Sequence, residues 1–355
     1  MNKNQTMMKQ IIKFLLPSYF VRKIREWRAT SFPVEPYIFT KQDAKRVYTI
    51  VLSGKLHHKI GTEVSLLEKE FAQYHGAKYA LATNSGTSAL EMALKVVGIH
   101  PGDEVIVPGY TFIATAQAVL NRGGIPVFAD IDDTYTLSPS SVEHHITKKT
   151  KAIIPVHIFG NVANMYAIMK IAKQHKLCVI EDACQAVGAA YKDQKVGSIG
   201  DIGCFSFDIH KAIFTGQGGM FVTSNRNFYT TAMHTRETGQ LHDEQGSDVI
   251  TTGNTYAMTE MQGVLARSIL QRLDDLNSKR RMMYEMFVHT IRTGSLPVRW
   301  YRVLPEALPS YSRLVFMVDF RTIGITRERF IEHMRHRGIP MRKFYPVPLY
   351  KYSLF

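Results

Sequence analysis

The stretch from Cys204 to Gly219, CFSFDIHKAIFTGQGG, carries the residue types of a functional turn. An apolar and aromatic run is followed by a single lysine, Lys211. A glycine-rich segment then precedes a second apolar run that begins at Met220. This order predicts a buried strand, a tight turn and another strand. A lysine amine at such a turn can form a Schiff base with an aldehyde. Taken alone, however, Lys211 is better explained as a surface lysine in a loop.

A carboxylate precedes this lysine in the chain. The apolar residues 177–180 end in Glu181 and Asp182, which predicts a buried parallel strand with Asp182 at its carboxyl end. Ligands bind at that end of the strands in open α/β sheets. A carboxylate there can pair with the protonated nitrogen of a pyridine cofactor. The stretch alone is equally compatible with Asp182 as a helix N-cap, and Glu181 is interpreted as structural.

Two stretches further upstream contain residue types that are typical of ligand-binding turns. Residues 82–94, ATNSGTSALEMAL, place small hydroxyl residues and Gly86 before a helical pattern. Backbone N–H groups at a helix N-terminus, together with the Thr87 hydroxyl, can bind a phosphate, although an ordinary Ser/Thr cap has the same sequence. Residues 108–112, PGYTF, predict an aromatic turn after a strand. An aromatic ring there can stack on a flat cofactor, while core packing is the default interpretation.

The chain resembles the DegT/DnrJ/StrS family of sugar aminotransferases, which use pyridoxal phosphate. The resemblance lies in the order of four features: the helix start at Gly86 and Thr87 that can bind a phosphate (the phosphate seat), the aromatic turn, the acid and the lysine. The pattern FSF-x-x-x-K-x-x-x-x-G-x-GG after EDA-x-QA is the most specific part. The matching stretches are residues 76–94, 101–132, 151–160, 179–188 and 200–225. The resemblance implies an α/β protein of fold type I. Its large domain would have a mostly parallel central sheet flanked by helices, and a small α/β domain would follow.

The resemblance implies a role for each of the residues singled out above. Lys211 would hold the cofactor aldehyde as a Schiff base and move protons, and Asp182 would pair with the pyridine nitrogen. Gln185 would reach the side of the ring that carries the phenolic oxygen, and Phe112 would stack on the ring face. The implied phosphate ligands are Gly86, Thr87 and Ser206.

The chain departs from the family pattern at two places. Members carry G-x-N-x-R-M where this chain has GNTYAM at residues 253–258. Thr255 replaces the asparagine that reaches the cofactor phosphate of the partner subunit, and Ala257 replaces the arginine. Asn254 can make that cofactor contact only if the backbone register shifts. Gln217 stands where the family usually has glutamate.

The activity implied by the resemblance is transfer of an amino group from an amino acid, with glutamate the favoured donor, to a nucleotide-linked keto sugar. Such a reaction serves amino-sugar or surface-polysaccharide biosynthesis, in a homodimer whose active sites lie at the subunit interface. Relatives with histidine at the lysine position are dehydratases. Here Lys211 holds that position and His210 is only adjacent, which favours transamination. A pyridoxal-phosphate-dependent sugar dehydratase and a non-catalytic scaffold that binds the cofactor are the alternatives.

Composition limits the classes of protein to which the chain can belong. Its 355 residues carry a net charge of +14 with a pI near 9.6, which suits an anionic sugar nucleotide, although scattered surface charge explains most of it. Without a nucleic-acid-binding module, we expect no nucleic-acid partner. The cysteines Cys178, Cys184 and Cys204 form no CxxC pair, which indicates a reducing, cytoplasmic setting without disulfides or a zinc site. No apolar run approaches the roughly 20 residues of a membrane span.

The chain divides into three predicted parts. Residues 1–35 form a basic, amphipathic extension, residues 36–290 the large cofactor-binding domain, and residues 291–355 a small domain that the resemblance implies is truncated or reduced. Residues 7–28 are interpreted either as a peripheral membrane contact or as a helix packed on the protein itself. Residues 226–290 are predicted to be helical.

Overall fold

The computed structural model describes residues 38–243, 246–293 and 297–355. The predicted extension over residues 1–35, with its membrane or packing segment, lies outside these ranges. The helices are α1 Lys41–Ser53, α2 Glu63–His75, α3 Gly86–Val96, α4 Ala114–Asn121, α5 Pro139–His145, α6 Met165–His175, α7 Arg226–Arg236, α8 Glu260–Leu270, α9 Leu273–Thr293, α10 Phe320–Ile323 and α11 Arg327–His336. The strands are β1 Tyr79–Thr83, β2 Glu104–Pro108, β3 Ile125–Ala129, β4 Thr150–Ile153, β5 Cys178–Asp182, β6 Ala190–Tyr191, β7 Gln194–Lys195, β8 Ile202–Ser206, β9 Gly219–Thr223, β10 Gln240–Asp243, β11 Gly246–Val249, β12 Val298–Arg299, β13 Ala307–Leu308 and β14 Met317–Val318.

A seven-stranded sheet in the order β1-β9-β8-β5-β4-β2-β3 forms the centre of the molecule. The strands from β8 to β3 pair in parallel, whereas β9 is antiparallel to both of its neighbours. Strand β1 therefore runs in the same direction as β8. This sheet confirms the predicted α/β class with a mostly parallel sheet. As a result, the carboxyl ends of β1, β2, β5 and β8 meet at one edge.

The strands are short apolar runs because helices cover both faces of the sheet. On one face, Val105 and Val107 pack with α3 and α4; on the other, Ile106 packs with α6. Helices α2 and α8 cover the β8–β9 part of that second face, where Phe205 is completely buried. Close packing on both faces of the sheet therefore fixes the position of the carboxyl end of each strand.

A smaller core lies in the C-terminal part of the chain. The side chains of Ile291, Ile323, Phe330 and Met334 are buried there, where α9, α10 and α11 pack together. The last segment turns back, and Leu349 packs in the core that holds α3 and α4. The predicted division into large and small domains at residue 290 remains a prediction. No helix in the described ranges is long and apolar enough to cross a membrane.

The predicted helical region over residues 226–290 is wrong between α7 and α8. There the chain forms the β10–β11 hairpin and an extended segment in which Ala257 makes a bridge to Thr83. Gly239 has a φ of 83°, and a Cβ built on it would lie 1.7 Å from the Thr251 carbonyl oxygen. Only glycine suits that backbone, so a helix cannot continue through this segment.

Glu181 ties the connection before β8 to the end of β5. Its side chain is completely buried, and its carboxylate accepts the backbone N–H groups of Gly197, Ile199 and Gly200 at 2.6–2.8 Å. The fourth contact is with His157 Nε2 at 3.0 Å. Glu181 is therefore structural, as the sequence indicated. Together with His157, it fixes the strand end that carries the next residue, Asp182.

We expect Glu181→Ala to destabilise the fold by about 3 kcal/mol or more, because it leaves three buried N–H groups without an acceptor. Glu181→Gln keeps one carbonyl oxygen in place and should cost less. The free energy of unfolding from urea denaturation measures both effects, with the exposed Glu143→Gln as the control. An unfolding midpoint for Glu181→Ala equal to that of the control would contradict this role.

Candidate active site

Helix α3 begins at the ligand-binding edge of the sheet. Its N-cap is Ser85, whose Oγ accepts the N–H of Ser88 at 3.0 Å. The N–H groups of Gly86 and Thr87, in the first turn, have no partner within the helix. The positive end of the helix dipole points in the same direction as these N–H groups, so this helix start can bind an anion.

Gly86 brings the start of α3 into contact with two other loops. A Cβ built on Gly86 would lie 2.7 Å from Ser206 Cβ and 2.9 Å from Cys184 Sγ. Any larger residue would push the helix away from the end of β8 and from the turn after β5. The Ser206 hydroxyl accepts the Asp208 N–H at 3.3 Å, which leaves its own hydrogen free to point at an anion beside the helix.

Asp182 stands at the carboxyl end of β5 and is only 4% exposed. Its Oδ2 accepts the Thr115 hydroxyl at 2.8 Å, and its Oδ1 accepts the Cys184 N–H at 3.2 Å. Within the described ranges, no cationic side chain lies within 4 Å of this carboxylate. A buried carboxylate that is held by two neutral donors is suited to receive a cationic ligand.

Lys211 lies in the turn after β8, and its backbone N–H donates to the Asp208 carbonyl at 2.9 Å. The side chain is half-buried. Burial raises the pKa of the Cys184 thiol well above its usual value, the negative charge of Asp182 raises it further, and the positive charge of Lys211 opposes them. Lys211 follows β8, the parallel neighbour of β5, so the lysine and the Asp182 carboxylate come after adjacent strands at the same edge of the sheet.

Gln185 is held by both ends of its amide. Its Oε1 accepts the Phe159 N–H at 3.0 Å, and its Nε2 donates to the Tyr345 hydroxyl at 3.1 Å. Burial raises the pKa of Tyr345, and Asp182 contributes in the same direction. Tyr345 and Gln185 thus form a neutral wall beside the carboxylate.

The aromatic turn after β2 contributes two rings with different environments. Tyr110 is half-buried and its hydroxyl donates to the Phe344 carbonyl at 2.7 Å, which makes it a packing residue. Phe112, by contrast, is 52% exposed. Core packing therefore explains Tyr110 but not Phe112, whose ring face is available to a ligand.

Asn254 lies on the extended segment that docks beside α3. The side chain is exposed, and its amide donates to the Tyr256 hydroxyl at 2.8 Å. The neighbouring Thr255 carbonyl accepts the Asn84 amide at 3.1 Å. The segment is thus anchored next to the helix start, and its contact with a second subunit remains a prediction.

Three residues at this site carried no functional assignment from the sequence. Thr115 binds Asp182, and Tyr345 binds Gln185. The third, Arg313, acts on the pKa values of both Tyr345 and His210. Nothing in the local sequence distinguishes Thr115 or Arg313.

These groups fit pyridoxal phosphate. The α3 start and Ser206 suit its phosphate, the unpaired buried carboxylate of Asp182 suits its protonated ring nitrogen, and the Lys211 amine suits its aldehyde. The close approach that Gly86 permits leaves the phosphate seat and the carboxylate on the same side of the sheet. In the part of the chain that the structure describes, no cluster of three His, Cys, Asp or Glu side chains could hold a metal ion.

Comparison with known proteins gives consistent matches. The sequence model of the DegT/DnrJ/EryC1/StrS aminotransferase family matches residues 38–355. GDP-perosamine synthase of Escherichia coli O157:H7 is 37% identical over 82% of this chain and 79% of its own length. UDP-N-acetyl-3-dehydro-alpha-D-glucosamine 3-aminotransferase of Acidithiobacillus ferrooxidans is 38% identical over 83% and 78%. The X-ray structure of an aminotransferase from Psychrobacter cryohalolentis superposes with a TM-score of 0.81 at 34% identity, covering 85% of this chain and 82% of that one.

Proposed function

Because the chain belongs to the DegT/DnrJ/EryC1/StrS aminotransferase family, we propose that it transfers an amino group from glutamate to a keto sugar carried on a nucleotide. The observation that carries the proposal is the buried Asp182 carboxylate at the end of β5, with Lys211 after the adjacent parallel strand β8 and an anion-binding helix start beside them. The nucleotide-sugar names of the two curated relatives support the substrate class. The proposed role is in amino-sugar or surface-polysaccharide biosynthesis.

The overall exchange is balanced between two half-reactions. In the first, the donor's C–N bond breaks and the donor leaves as a 2-oxo acid, its oxygen supplied by water. In the second, a C–N bond forms at the keto carbon of the sugar, and the ketone oxygen leaves as water. When bound, pyridoxal phosphate supplies the aldehyde that carries the amino group between these steps and a ring that accepts electrons.

Asp182 has an electrostatic role in this proposal. Its carboxylate holds a proton on the ring nitrogen and so keeps the ring electron-poor. The Thr115 hydroxyl and the Cys184 N–H fix the direction in which the carboxylate points. Since Asp182 is buried, water does not screen its charge at that position.

Lys211 is the proposed general base and acid. Its Nζ takes the proton from the donor Cα in the first half-reaction and delivers a proton to the sugar carbon in the second. Lys211 lies in the connection over residues 207–218, between the end of β8 and the start of β9. The Phe207 N–H donates to the Gly218 carbonyl at 2.7 Å, which ties the two ends of this connection together.

The remaining site residues bind and orient. We assign the phosphate to the N–H groups of Gly86 and Thr87 with the Ser206 hydroxyl, and the ring face to Phe112. Gln185, whose amide is already fixed by two hydrogen bonds, supports the wall beside Asp182.

A homodimer and a cytoplasmic location complete the proposal. Helix α1 and the loop after it expose apolar side chains in one sequence region: Tyr48, Val51, Leu52, Leu56 and Ile60. A surface of that kind is typical of a protein–protein interface. Asn254 would act across the interface. The membrane contact of residues 7–28 stays a prediction about a segment outside the described ranges.

We expect mass spectrometry to find nitrogen from ¹⁵N-labelled glutamate in the product formed from one member of a panel of keto sugar nucleotides. Reactions without glutamate serve as the control and should give no aminated product. A product that has lost water without gaining the label would show a dehydratase instead. The absence of any sugar product across the panel, from protein that retains its cofactor, would favour the non-catalytic scaffold.

A further inference from the structure

An open groove lies in the C-terminal part of the chain. It has a volume of about 680 Å³ and is formed by β14, helix α11 and the segment that follows α11. Leu314 and Met317 in its wall are 45% and 48% exposed. Phe316, Ile331 and Met341 also line it and are half-buried. A continuous apolar surface of this kind is typical of a site that binds another element or molecule.

The structure beneath the groove is small. Strand β14 pairs with β12 through Val298 with Val318 and Arg299 with Met317. A ribbon of two strands is marginally stable by itself and depends on packing against further elements. An element that covers the groove would therefore stabilise both β14 and α11.

Helix α11 lines the groove with residues at the spacing of a helix-packing face. Arg327, Phe330, Ile331 and Met334 lie at positions i, i+3, i+4 and i+7, which form one stripe along the helix. Such a stripe is suited to pack against a second helix. The 10 residues of α11 are about 15 Å long, which is the length of about three turns of a partner helix.

The charged residues that line the groove are all cationic. They are Arg313, Arg327, Arg342 and Lys343, and none of the described lining residues is acidic. Carboxylates beside the apolar side chains of a partner would complement this charge. The chain itself carries a net charge of +14, and its segment over residues 7–28 is basic. Charge therefore disfavours both that segment and a second copy as the occupant of the groove.

We propose that this groove binds an acidic amphipathic helix of another polypeptide. Apolar side chains of that helix contact Met317 and Ile331, and its flanking carboxylates face Arg327 and Lys343. The helix covers the exposed part of the smaller core, and the cations select an acidic partner over a basic one.

The position of the groove separates this role from substrate binding. Neither Lys211 nor Asp182 is among its lining residues. Tyr345, whose hydroxyl accepts Gln185 Nε2, does line it. The bound helix therefore adjoins the candidate active site but does not occupy it.

The test uses the full chain and two synthetic amphipathic peptides with leucine at positions i, i+3, i+4 and i+7. One peptide has glutamate at the flanking positions and the other has lysine. Fluorescence anisotropy should show that the glutamate peptide binds at least about 10-fold more tightly. Arg327→Glu/Lys343→Glu and Met317→Asp should each weaken its binding by about 10-fold or more. The matched control is Arg321→Glu/Arg329→Glu, which reverses two exposed charges outside the groove and should stay within about 2-fold.

Equal affinity for the two peptides, or unchanged binding by Arg327→Glu/Lys343→Glu, would overturn the proposal. Three other occupants would also overturn it. Vesicles of phosphatidylglycerol that displace the glutamate peptide and depend on the same residues would assign the groove to a membrane surface. Tighter peptide binding by Leu15→Glu/Leu16→Glu would assign it to the N-terminal segment of the chain. A smaller assembly for Met317→Asp in analytical ultracentrifugation would assign it to a second copy.

Discussion

Lys211→Ala is expected to lower kcat/KM for amino-group transfer by about 10,000-fold, the upper range for a general acid–base group. The nearest other titratable side chain is His210, which is adjacent in sequence. Burial lowers the pKa of His210, the charge of Asp208 raises it, and the charges of Arg313 and Arg342 lower it. The measurement is amino-sugar formation from glutamate and the keto sugar nucleotide identified in the labelling experiment.

Two controls separate chemistry from folding in Lys211→Ala. Lys173→Ala changes an exposed lysine on α6 and should retain full activity. The cofactor content of each variant, measured after its release from the protein, shows whether the phosphate seat survives. A small added amine should restore part of the activity of Lys211→Ala, because it can move the same proton. Amino-sugar formation by Lys211→Ala at the wild-type rate would refute the proposed mechanism.

The central sheet could be predicted because its strands are short apolar runs separated by helical patterns. The run before Asp182 and the run before Lys211 became the adjacent strands β5 and β8. Their carboxyl ends meet because parallel strands share an edge, and this follows from the pattern alone. The same reasoning failed between α7 and α8, where backbone pairing with a distant part of the chain, such as that of Ala257 with Thr83, helps to decide the conformation.

Contacts between distant parts of the chain limited what could be predicted of the site. Thr115 is 67 residues from Asp182, and Tyr345 is 160 residues from Gln185. A lone threonine on a helix or an arginine in a loop has the same local sequence whether or not it faces a site. Only the packing of the C-terminal segment against the aromatic turn brings Tyr345 to Gln185.

Asp182→Asn is expected to reduce the rate of amino-group transfer by about 100- to 1,000-fold, which is typical for the loss of one preorganised electrostatic group. The asparagine amide has nearly the same shape, so the N–H of Cys184 keeps an oxygen acceptor. The Thr115 hydroxyl can rotate to accept from the new amide. The fold should therefore survive, and the loss should come from the missing negative charge beside the ring nitrogen.

The charge itself is tested by comparing Asp182→Asn with Asp193→Asn, which removes a carboxylate from an exposed turn. Both variants lose one negative charge, but only the first loses it from a buried position where water does not screen it. Asp182→Asn should also bind the cofactor more weakly in an equilibrium titration, whereas Asp193→Asn should not. If both variants keep wild-type rates and wild-type cofactor affinity, Asp182 does not hold the ring nitrogen. Its burial would then serve only to join α4 to β5 through Thr115.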